Sequence, residues 1–389
     1  PAYRLCPHNF PDKTLPRITR RTRCIPAGGL SKIPIQEAIM ADDQTHVAAN
    51  ATALSQLWYT RCPVPTPLGL AVQLGWFKDE FGPEGIVLNS LQESLDEKVK
   101  ESHFDHNLAN SFRQGGNIPA IWAKANGRDT RVIGLNWVDE AQLVVTLPTS
   151  GITSVAELKG KRIALPLNDI SIDHQRASAL RGIVVSLEAA GLSADDIQFV
   201  DLPVPQGGAG VGWTSSHTPY ATEFEALKAG KVDAIYVKGA RGVEEAHKHG
   251  VTTLYDVRNH PDPIARANNS APRPITVDNA LLQERPDLVV RFLSKILDVA
   301  DWAAAHEADT VSYIAKESHS TDEWVRKAYG NDIHLKQGTS LDDLSIAGLS
   351  AYKDFLFKWG YLKADFDVAD WIAPGPLDEL LRTRKQKAA

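Results

Sequence analysis

Cys62 stands in the stretch Trp58-Tyr59-Thr60-Arg61-Cys62-Pro63-Val64-Pro65-Thr66-Pro67, between a short apolar and aromatic run and a proline-stiffened turn. A thiol between a strand end and a helix start lies where α/β folds gather ligands. Arg61 precedes it, and nearby positive charge favours the thiolate. Two further groups could work with it. His103 is followed by Phe104, and Arg113 opens Arg113-Gln114-Gly115-Gly116-Asn117-Ile118-Pro119. A guanidinium is a planar fork of donors matched to a two-oxygen anion. Gly115 and Gly116 would let backbone N–H groups approach such an anion, just before a helix whose N-terminus favours negative charge. An imidazole can orient or protonate a thiol and pass a proton on. These residues therefore suit capture of an oxyanion beside a thiol that acts either as nucleophile or as proton donor, and their types leave both roles open.

Each residue taken singly has a plainer reading. A lone cysteine is commonly a small buried hydrophobe, an arginine a solvated or salt-bridged side chain, and a Gly-Gly pair a tight turn. Their shared chemistry depends on elements that bring them together. Leu54–Tyr59 reads as a strand running into the Cys62 turn. Thr66 is a good N-cap and Pro67 suits the first helical position, so a helix is expected to about Glu80, burying Leu70, Leu74 and Phe77. Gly85–Leu91 is a second strand, Gln92–Glu101 a charged stretch, and 113–119 a turn before a helix over Ala120–Lys124. Arg131–Asn136 is a third strand. This alternation implies parallel strands joined by helices.

A new alternation starts after the strand Ala141–Thr146, with a strand at the end of 159–165, a helix over Ser178–Ala190 closed by Gly191, and strands over Gln198–Leu202 and 231–237. Val251–Val257 heads back, and the remainder reads as mainly helical. The expected organisation is a first lobe over 40–147 and 250–389 and a second over 148–249, with crossings near 145–150 and 240–255 as a hinge. The loop Pro203–Tyr220, rich in Gly, Pro and Ser, reads either as a flap over the cleft, with Trp213 able to pack on an aromatic ligand, or as a disordered surface loop. Its Gly207–Gly212 run lacks the GxGxxG register and is not a dinucleotide site.

The chain has 389 residues, 43% hydrophobic and 23% charged, enough for two cores. Its net charge of −6 gives no electrostatic case for nucleic acid. No apolar run approaches the ~20 residues of a membrane helix. The cysteines at 6, 24 and 62 form no CxxC pair, and His247 and His249 face different ways on a helix, so no metal site is expected. Residues 1–39 hold seven Lys and Arg against two acids, with six prolines. They are expected to be a disordered or non-native N-terminal extension preceding Met40; a transit peptide is the alternative. No secretory signal follows Met40, so the expected location is cytoplasmic.

The layout resembles the type II periplasmic-binding-protein fold: two α/β lobes around a central cleft, with a helical C-terminal region. Lys159-Gly160-Lys161-Arg162-Ile163-Ala164 and Gly230-Lys231-Val232-Asp233-Ala234 are similar to phrases of the nitrate, sulfonate and taurine binding proteins. Cys62-Pro63-Val64-Pro65, His103-Phe104, Arg113 with Gly115–Pro119, and Asp370-Trp371-Ile372-Ala373-Pro374 resemble the aromatic sulfinate desulfinases of that fold. The resemblance spans most of 54–380, although the stretch between Cys62 and His103 is longer here and the loops diverge. It implies a hydrolase that breaks an aromatic C–S bond to give sulfite and an arene. Cys62, His103 and Arg113 would be catalytic, with Gly116 completing the site; by residue type, Gly115 and Trp213 join Arg113 and Gly116 as expected contacts to an aromatic sulfinate. No cofactor and a monomer are expected. A solute-binding protein for sulfonate-like anions is the alternative. It would use Arg113 and the glycines but needs no thiol and normally needs export. The thiamine-precursor synthases of this fold draw on a histidine- and cysteine-rich stretch that is not seen here.

Overall fold

The computed structural model describes residues 54–205 and 219–388. The expected N-terminal extension and Trp213 lie outside the described residues. Among the described residues, ten strands form sheets of five, three and two strands, the two smaller ones side by side as a second group. The first sheet has the order β2-β1-β3-β10-β4, from β1 (Gln56–Arg61), β2 (Val87–Ser90), β3 (Ser111–Gln114), β4 (Thr130–Asn136) and β10 (Arg273–Asp278). The second group pairs β5 (Gln142–Thr146) antiparallel with both β8 (Ile235–Lys238) and β9 (Thr252–Asp256). Beside them β6 (Arg162–Leu167) runs parallel to β7 (Gln198–Pro203), and Ile163 bridges to Ala234, the residue just before β8.

The α/β alternation is as expected, but the crossings are not where periodicity put them. β5 and β9, expected in the first lobe, pair in the second sheet. The chain therefore changes sheet over 137–141 and again over 257–272. Apolar pattern identifies a strand without naming its neighbour, so partner choice was invisible in the sequence.

β1 pairs parallel with β2 and β3, whereas β10 runs antiparallel between β3 and β4. The sequence reading missed both β3 and β10. β3 is four residues long, and β10 begins Arg273-Pro274, which reads as a breaker. The first sheet buries one face under the helix Pro286–Ala305, whose Phe292 stacks on Phe112 of β3 at 3.7 Å between ring centroids. The expected helix 67–80 is two helices, α1 (Pro67–Gln73) and α2 (Trp76–Phe81), broken where Gly75 adopts φ +77°. Leu70 and Phe77 are buried as expected, Leu74 only half-buried. The charged stretch after β2 becomes α3 (Glu97–Asp105), capped by Asp96, whose side chain accepts from Lys98 N. α4 (Asn117–Ala125) starts three residues earlier than expected, with Pro119 in its first turn. None of the described helices is long and apolar enough to cross a membrane.

Candidate active site

The C-terminal ends of β1 and β3 lie side by side, with Thr60 opposite Arg113 and Arg61 opposite Gln114. Strand alternation turns Tyr59 and Phe112 into the core and places Thr60 and Arg113 together on the other face. Cys62 follows directly on β1. The Pro63–Pro65 turn leads to Thr66, which caps α1 by accepting from Gly69 N at 3.0 Å. Gln114 Oε1 takes the Leu68 N–H at 2.8 Å. The start of α1 is thus satisfied from within and fixes the turn that carries the thiol.

His103 reaches the same place from α3. Its Nε2 is 3.9 Å from Cys62 Sγ, and its Nδ1 is 2.7 Å from Thr60 Oγ1. Arg113 donates from Nη2 toward Cys62 Sγ at 3.7 Å and from Nε to the His103 carbonyl at 3.3 Å. The three side chains singled out in the sequence therefore meet on one sulfur. His103 and Arg113 are buried, and Cys62 is half-buried. Arg113 Nη1 is buried with no protein acceptor, which leaves the outer edge of the fork for an anion.

Burial, reinforced by the Arg113 charge, holds His103 well below the ordinary histidine value of 6.5, so the ring is neutral at neutral pH. His106 and His174 are lowered as well, chiefly by burial. Burial also lowers Arg113, opposed by the Cys62 charge; a guanidinium stays protonated through such a shift. The positive charge beside the thiol is Arg113 and not Arg61. Arg61 forms an ion pair with Glu317, in the helix Glu307–Glu317.

The two glycines have different tasks. A Cβ on Gly115 would sit 2.2 Å from Cys62 Sγ and 2.8 Å from its Cβ. Gly115 makes room for the sulfur and, although expected to contact the anion, is not among the residues that line the cavity. A Cβ on Gly116 would meet Asn269 Oδ1 at 2.6 Å. Past the glycines, Asn269 takes the first N–H groups of α4: its carbonyl accepts from Asn117 N at 2.7 Å and its Oδ1 from Ile118 N at 3.1 Å. This bond also orients the amide. With Oδ1 committed to a backbone donor, Nδ2 is the edge left for the cavity that Asn269 and Gly116 both line. Asn269 was not found in the sequence, since it lies on the second crossing, far from the other residues along the chain. The polar run Asn268-Asn269-Ser270 ahead of Arg273-Pro274 was its sequence signal.

The cavity has a volume of about 670 Å³ and lies between the two sheets. Cys62, His103, Arg113 and Gly116 line one side, and Phe104, Pro119 and Pro166 add apolar surface. Lys238, at the end of β8, and Glu140, on the first crossing, are paired at 2.9 Å and line it too. Among the described residues no group of three or more His, Cys, Asp or Glu could hold a metal. The Asp370–Pro374 patch lies elsewhere: Trp371 is fully buried, Ile372 bridges to Val132 and Ala373 N donates to the Val132 carbonyl, so this patch secures the edge of β4.

No protein-family model matches the chain. It is 26% identical over 360 residues to 2'-hydroxybiphenyl-2-sulfinate desulfinase from Rhodococcus erythropolis, covering 85% of this chain and 94% of that protein. It is 26% identical over 308 residues to a putative aliphatic sulfonates-binding protein of Bacillus subtilis, covering 79% of this chain and 82% of that one. The crystal structure of a cysteine-to-serine mutant of the desulfurization enzyme DszB, in complex with biphenyl-2-sulfinic acid, superposes with a TM-score of 0.69 at 24% identity, covering 84% of this chain and 99% of that one. The chain has the periplasmic-binding-protein-like fold, with two α/β lobes about a cleft.

Proposed function

We propose that this protein is an aromatic sulfinate desulfinase, a hydrolase that converts an aryl sulfinate and water to an arene and hydrogen sulfite. The carrying observation is the meeting of Cys62, His103 and Arg113 at one sulfur on the wall of an interlobe cavity. Similarity to the Rhodococcus desulfinase over most of both chains supports the same reading.

The unused edge of Arg113, the Gly116 backbone N–H and Asn269 Nδ2 hold the two sulfinate oxygens. Phe104 and Pro119 receive the arene; Trp213 is a further proposed contact. In the reaction the C–S bond breaks with its electron pair going to the ring carbon, which takes a proton. The sulfur keeps its two oxygens and gains the oxygen of water, leaving as hydrogen sulfite. Cys62 faces the reacting bond either as the proton source for carbon or as a nucleophile on sulfur. We further propose that the protein works as a cytoplasmic monomer without a cofactor.

The second reading is a binding protein for sulfonate-like anions, favoured by the Bacillus relative. The test is incubation with an aryl sulfinate and assay of sulfite. Release that disappears in Cys62→Ser supports the enzyme. Tight binding with no release, unchanged in Cys62→Ser, supports the binding protein.

A further inference from the structure

Cys62 and His103 rest on a chain of hydrogen bonds that begins outside the cavity. Gln92 lies just beyond β2. Its Nε2 donates to the Arg61 carbonyl at 2.8 Å and to Thr60 Oγ1 at 2.6 Å. A backbone carbonyl can only accept, so the amide nitrogen is fixed on this side and both its hydrogens are used. Its Oε1 accepts from Ser90 Oγ at 2.9 Å, which agrees with that orientation. Thr60 is buried, and its hydroxyl oxygen already accepts from Gln92. Its own hydrogen needs an acceptor. Among the described residues the other hydrogen-bond partner of Thr60 Oγ1 is His103 Nδ1, at 2.7 Å. Were Nδ1 protonated, the Thr60 hydrogen would be buried without a partner, an arrangement that native structures avoid.

We infer that Gln92 and Thr60 are positioning residues that hold neutral His103 in its Nε2–H tautomer, with that hydrogen directed at Cys62 Sγ. The direction of every bond then runs one way, from Gln92 through Thr60 to His103 and on to the sulfur. In this form His103 donates to Cys62 and cannot take its proton, because Nε2 already carries one. With Arg113 Nη2, the sulfur receives two N–H donors. This deepens the desulfinase reading and rests on it for its catalytic meaning, although the tautomer itself does not. Sequence inspection gives no sign of the relay, since Gln92 falls in a charged stretch and Thr60 in an apolar one.

The test is proton–nitrogen correlation NMR of the full chain with 15N-labelled histidine, His103 being assigned by the signal lost in His103→Asn. The expected wild-type spectrum has a protonated, pyrrole-type Nε2 and an unprotonated Nδ1. Gln92→Glu places an acceptor where the donor was. Thr60 then donates to the carboxylate and accepts from Nδ1–H, so the tautomer should reverse. Thr60→Val should release the preference and lower kcat for sulfite release by up to about 100-fold with little change in KM, and Thr60→Ser should restore both. A wild-type ring protonated at Nδ1, or a tautomer unmoved by Gln92→Glu in a folded protein, would overturn the relay. If no aryl sulfinate yields sulfite, the desulfinase reading fails and the spectra still decide the tautomer.

Discussion

At the scale of single residues, the site depends on what is missing as much as on what is present. Gly115 packs against Cys62 so closely that one methyl group would displace the sulfur. Gly115→Ala is therefore expected to cost about 1–3 kcal/mol of stability and to abolish most sulfite release; a denaturation curve and an assay check the two effects separately. Arg113→Ala should weaken sulfinate binding by about 2–5 kcal/mol, because it removes one side of a buried charge pair; titration calorimetry with Cys62→Ser as the background measures it without turnover. Burial also makes His103, His106 and His174 acid-sensitive. Each has a folded-state value below the ordinary 6.5, so the unfolded chain binds more protons at mildly acid pH. Their contribution to stability is fully present above that value and is lost as pH falls below it toward the folded values. Urea midpoints should fall between about pH 7 and about pH 5, and replacing His106 by Gln should flatten the decline.

At the scale of elements, adjacent parallel strands turn separate stretches of sequence into one site. β1 supplies Thr60 and the approach to Cys62, β3 supplies Arg113, and α3 brings His103 across their ends. The opposite face of β3 is anchored by Phe112, which stacks on Phe292, while Phe292 also stacks on Phe77 of α2 at 4.5 Å. This column joins α2, β3 and the helix Pro286–Ala305 behind the site. Phe112→Ala should cost about 3–5 kcal/mol in a denaturant titration. In a double-mutant cycle with Phe292→Ala the losses should fall short of additivity, since the two rings share their contact.

At the scale of the whole molecule, the cavity lies between two sheets joined by the segments 137–141 and 257–272. Lys238, at the end of β8, reaches Glu140 on one segment at 2.9 Å and Ser270 Oγ on the other at 2.6 Å. A two-lobed molecule linked by two crossings is expected to close on its ligand. Adding an aryl sulfinate to Cys62→Ser should reduce the radius of gyration in small-angle scattering; unchanged curves at saturating ligand would remove the hinge.

The sequence by itself determined the α/β alternation, the Thr66-Pro67 start of α1 and the chemical set of thiol, imidazole and guanidinium. These depend on side-chain type, spacing and local backbone preference, which are written along the chain. It did not determine that β5 and β9 join the second sheet, because an apolar strand fits any matching edge. Nor did it reveal β10, whose opening Arg273-Pro274 reads locally as an interruption and becomes a central strand only between β3 and β4. Asn269 and Gln92 act through bonds to Ile118, Arg61 and Thr60 that exist only after folding. Hydrogen-bond direction is a property of neighbours in space, so the tertiary structure alone decided which atoms face the sulfur.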